Sequence, residues 1–209
     1  MNTHVADSLI YIYADESCLG NQFRERANPG AAAGMLERFD DRRGWHRRDY
    51  FRFEADTTNN RMAIVSAILG LSALRRPSDV VLTSDSGYLV NGMKDWIHGW
   101  ARRGWRRKGG RVENLALWKR LAGVARRHRV EWRWVRGHAE HPKNEYVNHL
   151  AVKAARERRR SGGLIASAFP EWIESQIDAG RFAGFLDLPP DEPFRPDPTA
   201  PDPASGEGT

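Results

Sequence analysis

The sequence predicts a mixed α/β domain, a five-stranded sheet flanked by helices. Three observations point there. Strand-like runs come first and in succession, at residues 9–15, 31–39 and 49–55. Helical periodicity then alternates with two further short strands, at residues 79–85 and 129–135. The chain has 209 residues, 40% of them hydrophobic and 8 of them Trp, enough for one core of ordinary size.

Each element has a local reason. "LIYIYAD" is aromatic and β-branched on both faces, as a central strand must be. "AAAGMLERF" and "DYFRFEA" are joined through Asp40, Asp41, Arg42, Arg43 and Gly44, which reads as a hairpin turn. Thr57 or Thr58 caps a helix running to about Leu74, with Met62, Val65, Ile68, Leu69 and Leu71 at helical spacing and Pro77 closing it. "DVVLTSD" is a short buried strand ending in an acid. Helices are expected at about 87–100 and 114–127, a strand at "RVEWRWV", and helices at about 143–159 and 170–178.

Charge is distributed unevenly. The chain carries +6 at a pI near 9.8. Residues 187–209 hold six acids, one Arg and seven Pro, a net −5, so the remainder carries +11. A body this basic favours polyanion partners, nucleic acid first. Residues 187–209 are expected to be a disordered, Pro-rich acidic tail. The expected layout is a domain over 1–160, a helical extension over 161–186, and then that tail. Cys18 is the only cysteine, which excludes an intrachain disulfide and a Cys-rich metal site. The first residues lack the basic and apolar stretches of a signal peptide, and no run approaches 18 apolar residues. A cytoplasmic monomer with no membrane contact is expected.

The landmarks "DESCLGN", "TTNNRM", "TSDSGYL", "WIHGWARRGW", "VENLALW" and "WRWVRGHAEHPKNE" occur in this order. Through them the chain resembles type 1 ribonuclease H over about 150 residues. The resemblance implies the ribonuclease H-like fold. It implies endonucleolytic hydrolysis of the RNA strand of RNA–DNA hybrids by a two-metal mechanism. It also implies two Mg²⁺ or Mn²⁺ ions, because clustered carboxylates suit hard cations.

Carried onto this sequence, the family's first and third acids are Asp15 and Asp85, and its loop histidine is His138. The second acid position falls on Ala63, which has no ligand atom, and the fourth on Asn148, whose amide oxygen is neutral. Glu16 stands where the family usually has Gly. An acid gained beside Asp15 and an acid absent at Ala63 suggest relocation of the ligand. The expected catalytic set is therefore Asp15, Glu16, Asp85, His138 and Asn148, with Asp15, Glu16, Asp85 and Asn148 as metal ligands. Strand alternation opposes this, because adjacent side chains leave opposite faces unless the strand ends or bulges at Glu16. The other reading makes Glu16 a surface group. Glu54, Asp56 and Glu145 are spare acids, expected to face solvent or to cap helices.

Substrate-facing residues follow from the same resemblance: Cys18, Asn21 and Ser86 near the RNA strand, and Asn59 and Asn60 at a helix start, where amides can read minor-groove edges and 2′-hydroxyls. The segment "KDWIHGWARRGWRRKGGR" implies a basic protrusion using Trp100, Arg102, Arg103, Trp105, Arg106, Arg107 and Lys108 on the DNA strand. Trp96 and Trp118 are expected to be core. Arg24 and Arg26 in the 22–27 insert are read equally as added phosphate contacts or as surface elaboration, and the 161–186 extension has no role readable from sequence. A second function class stays open: a module that grips hybrid or double-stranded RNA without cutting it.

Overall fold

The structure is a computed structural model and describes residues 9–19, 28–107, 109–137 and 141–197. Strands β1 (Leu9–Cys18), β2 (Gly30–Asp40), β3 (Gly44–Glu54), β4 (Asp79–Ser84) and β7 (Arg129–Trp134) form the sheet. A two-residue strand, β8 (Ile165–Ala166), extends it to six in the order β7-β4-β1-β2-β3-β8. The sixth strand was not expected. It comes from the C-terminal extension and is too short to carry an alternation pattern. Strands β4 and β7 run parallel to β1 and to each other, and the remaining pairings are antiparallel.

Strand β1 lies centrally and is covered on both faces. Ile12 and Ala14 pack on one side with Ala63, Ile64, Ala67 and Ile68 of α1 (Asn59–Ser72). Tyr11 and Tyr13 pack on the other with Tyr146 and Val147 of α5 (Pro142–Glu157). Helix α1 starts at Thr58, whose hydroxyl accepts from Arg61 N at 3.3 Å. It is buried around most of its circumference, which explains its many apolar residues. Helix α5 starts at His141, whose Nδ1 accepts from Asn144 N at 3.3 Å, with Pro142 at its first position. Burial lowers the His141 pKa, keeping the ring neutral and able to accept.

After β4 the chain enters α2 (Gly87–Asn91), a π-helical turn (Gly92–Trp96) and α3 (Ile97–Arg102). A small hairpin of β5 (Arg106–Arg107) and β6 (Gly110–Arg111) follows, then α4 (Leu115–Ala125). The π-turn lies where Gly92 meets Trp118: a Cβ at Gly92 would sit 2.1 Å from the indole. Helix α6 (Phe169–Asp178) docks beside α5 through Phe169 and Ile173. Buried Asp49 accepts from Tyr146 Oη at 2.5 Å and from Ala168 N at 3.1 Å, fixing the entry to α6.

Residues 187–197, read from sequence as the start of a disordered tail, lie against the body. Asp187 Oδ1 accepts from Arg47 Nη2 at 2.7 Å, and its carbonyl accepts from Trp45 Nε1 at 2.9 Å. Glu192 pairs with Arg133 at 2.8 Å, and Asp197 N donates to Val130 O at 3.0 Å. Composition suggested disorder because Pro and acids bury little apolar area. These contacts are instead specific, an acidic strap on a basic body.

Candidate active site

Strand alternation sorts the carboxylates. Glu16 pairs with Ala32, which packs on Met62 and Val65 of α1. Ser17 pairs with Ala31, which packs on Ala154 and Ala155 of α5. Even-numbered residues of β1 therefore face α1 and odd-numbered residues face α5. Glu16 leaves the sheet on the side of Ala63, the helix position that lacks a carboxylate. Asp15 leaves on the side of α5, which carries Glu145 and Asn148.

The two side chains leave opposite faces of β1, yet the charge of Asp15 still bears on Glu16. Asp15 is 5% exposed, and its Oδ1 accepts from Glu16 N at 2.7 Å. Burial raises the Asp15 pKa well above its ordinary value. The Asp85 charge, the Glu145 charge and a hydrogen bond shared with Asp85 add to that, against the lowering by the Glu16 amide. Burial likewise raises Glu16, followed by the charges of Asp15 and Asp85. Asp15, Glu16 and Asp85 thus form one electrostatic cluster. Glu16 Oε2 is buried without a hydrogen-bond partner. A desolvated carboxylate in this position is stable protonated or facing a cation.

The donor set consists of oxygens only, which fits a hard divalent ion rather than a soft one. Among the described residues no three His, Cys, Asp or Glu side chains are gathered so as to hold an ion by themselves. An ion here would take one or two carboxylates and keep several waters, the usual habit of Mg²⁺.

The supporting shell is tight. The Asp85 carbonyl accepts from Trp134 Nε1 at 2.9 Å. The Gly137 backbone comes so near Asp85 that a Cβ on it would lie 2.6 Å from Asp85 Oδ2. Ser86 caps α2, accepting from Leu89 N at 3.4 Å. Cys18 lies close enough to Glu16 that burial and that charge push its thiol up to about 12. Asn148 sits partly buried on α5, one turn beyond Asn144. Asn144 is 3% exposed, with Oδ1 unpaired. His138, Asn21 and Lys108 lie outside the described residues, as do Arg24 and Arg26.

Two neighbours escaped the sequence reading. Glu145, expected to face solvent, raises Asp15. Its position three residues before Asn148, on the same helix face, was the available signal. Gly137 is the other, and the "RGH" turn before the histidine was its signal.

Across the molecule, Asn59 and Asn60 are exposed at the start of α1, and Thr58 does the capping, so neither amide is used for it. Arg102, Arg103, Arg106 and Arg107 are exposed around the small hairpin. The tryptophans divide differently from expectation. Trp118 is fully buried as expected, but Trp100 is 8% exposed and packs edge-on against Trp118 at 5.5 Å, while Trp96 is 37% exposed. The π-turn that ends at Trp96 shifts the phase of this segment relative to α2, which a uniform 3.6 period does not foresee. Trp105 is partly buried, with Lys119 Nζ 5.5 Å from its ring centre.

The sequence profile of the family described as RNase H matches residues 7–156. The chain belongs to the ribonuclease H family. It is 43% identical over 148 residues to the ribonuclease HI of Neisseria meningitidis serogroup A, covering 70% of this chain and 94% of that one. It is 41% identical over 143 residues to the ribonuclease H of Paracoccus denitrificans, covering 68% and 89%. Among solved structures, LC9-RNase H1 is described as a type 1 RNase H with the type 2 active-site motif. It superposes with a TM-score of 0.84 at 44% identity, covering 99% of this chain and all of that one. The foamy-virus RNase H domain shares the fold at 14% identity and a TM-score of 0.59.

Proposed function

We propose that this ribonuclease H hydrolyses the RNA strand of RNA–DNA hybrids endonucleolytically, with Asp15, Glu16, Asp85 and Asn148 as ligands of two divalent cations, Mg²⁺ or Mn²⁺. The observation that carries this reading is Glu16, which leaves β1 on the Ala63 side and shares one electrostatic cluster with Asp15 and Asp85. A carboxylate reaching from the strand replaces one reaching from the helix. The similar LC9-RNase H1, described as a type 1 RNase H that carries the type 2 active-site motif, supports a site that departs from the type 1 motif.

Bound cations would polarise the scissile phosphate and lower the pKa of an attacking water. The protein's own residues do the rest. Asp15, Glu16 and Asp85 supply the negative charge that holds cations, and Asn148 adds a neutral oxygen. Gly137 packs against Asp85, and His138, the next residue in sequence, is assigned proton delivery or product release on the family resemblance. Asn59 and Asn60 present free amides for the hybrid's minor groove, where 2′-hydroxyls distinguish RNA from DNA. Arg102, Arg103, Arg106 and Arg107 face the phosphates of the DNA strand, with Trp96 as the exposed aromatic beside them.

The test is cleavage of end-labelled RNA in a hybrid, beside the same sequence as double-stranded DNA. Selective cutting of the RNA strand is expected, and it should disappear with a chelator. Equal cutting of both duplexes contradicts the reading. A grip-only module would bind the hybrid and leave it intact.

A further inference from the structure

The chain leaving α5 pairs with the outer edge of β3. Phe53 N donates to Arg159 O at 3.1 Å, Arg52 and Arg160 form an antiparallel bridge, and Ser161 N donates to Phe51 O at 3.0 Å. This pairing begins just after residue 156, where the family match stops. It covers an edge that would otherwise be open. It also creates a row across the sheet. Glu16 pairs with Ala32, Ala32 with Arg52, and Arg52 with Arg160. Residues directly opposite one another share a face, so Arg52 and Arg160 project on the same side as Glu16.

We infer that Arg52 and Arg160 grip the phosphate backbone of the hybrid to one side of the cleaved bond, a role in substrate binding for β3 and the segment that follows α5. The inference rests on the hybrid-cleaving reading above. Spacing supports it. At about 4.8 Å per strand, Arg52 and Arg160 lie about 10 and 14 Å from the Glu16 position. That is about three to four nucleotide steps of about 3.4 Å.

Charge supports it too. Arg158, Arg159 and Arg160 are consecutive and exposed. The acids paired in this patch are Glu54 and Glu157. Glu54 engages Arg61 at 2.9 Å, whereas its pair with Arg52 is long, 3.7 Å, and Arg52 Nε makes no hydrogen bond. The row adjoins the exposed Asn59 and Asn60, through Arg61 of the same helix. A strand passing Glu16 and those amides continues over Arg52 and Arg160.

The full chain and its Arg52→Gln, Arg160→Gln and double variants should be titrated with a long hybrid in chelator across a salt series. Binding is thereby read without cleavage, and wild-type cutting of the same hybrid with Mg²⁺ reads the activity separately. Gln keeps the backbone bridge, and an unchanged melting temperature checks it. The double variant should lower the slope of log K against log salt by about 2. Arg160→Lys should retain the slope. Trimming the hybrid to within two base pairs of the cut on one end, and not on the other, should erase the difference from wild type. A slope equal to wild type, or a loss independent of hybrid length and end, overturns the inference.

Discussion

Asp15 and Glu16 are held in the protein at a cost that ions or protons relieve. Burial and neighbouring carboxylates raise both above their ordinary values of 3.8 and 4.5. A raised acid binds its proton more tightly in the folded state, so it contributes stability below the unfolded pKa. That contribution is lost as pH rises through the folded one. The ion-free protein should therefore melt at a lower temperature as pH climbs from about 4 towards neutrality, counter to the usual behaviour of paired carboxylates. At neutral pH with chelator, Glu16→Gln should raise the melting temperature by about 2–4 °C, corresponding to about 1 kcal/mol in a chain of this size. A melting temperature that falls in this variant contradicts the strained cluster. Gly137→Ala is a second residue-scale test. Its Cβ would stand 2.6 Å from Asp85 Oδ2, so the loop or the carboxylate must move. Cleavage should drop at least tenfold with little change in hybrid affinity, measured as separate kcat and binding constants.

At the scale of elements, the sequence was legible where periodicity and caps agree. Thr58 and the apolar run behind it placed α1, and the β-branched and aromatic runs placed the five long strands. Strand alternation was the weightiest argument against Glu16 as a ligand. In the structure it puts Glu16 on the α1 side with Ala63, and Asp15 on the α5 side. The helix pair across the π-turn was legible in extent but not in phase. The π-turn shifts the phase of the helix after α2, and Trp96 ends up the more exposed of the two. Trp96→Ala should therefore weaken hybrid binding several-fold at nearly wild-type stability, whereas Trp100→Ala should cost about 3–5 kcal/mol by denaturant unfolding. The reverse ranking would mean that the helix face is assigned wrongly.

For the whole molecule, three stretches were unreadable for a common physical reason. The β3 edge pairing, β8 and the strap at 187–197 are short, and they are held by scattered ionic, backbone and single-ring contacts rather than by a repeating apolar face. The strap joins a buried network in which Glu37, 1% exposed, accepts from Arg47 at 2.8 Å and Lys143 at 2.5 Å. Asp187 then adds a second anion to the two cations, at 2.7 Å from Arg47 and 3.5 Å from Lys143. Asp187 is about one-third exposed, so screening reduces its contribution. Ending the chain after Leu186 should lower stability by about 1–2 kcal/mol by denaturant titration, with the loss shrinking in high salt. No helix among the described residues is long and apolar enough to cross a membrane.

The proposed hydrolysis depends on Glu16 standing in for the carboxylate missing at Ala63. It is tested most directly by hybrid cleavage with Glu16→Ala, beside Asn148→Asp and the double variant Glu16→Ala with Ala63→Glu. Removing one charged group from such a site typically costs 10²-fold or more in rate. Glu16→Ala should cut at less than about one-hundredth of the wild-type rate while binding the hybrid normally. Ala63→Glu in that background should restore part of the rate, and Asn148→Asp should keep or raise it. Wild-type cleavage by Glu16→Ala would contradict the account and return the missing charge to another acid, Glu145 first.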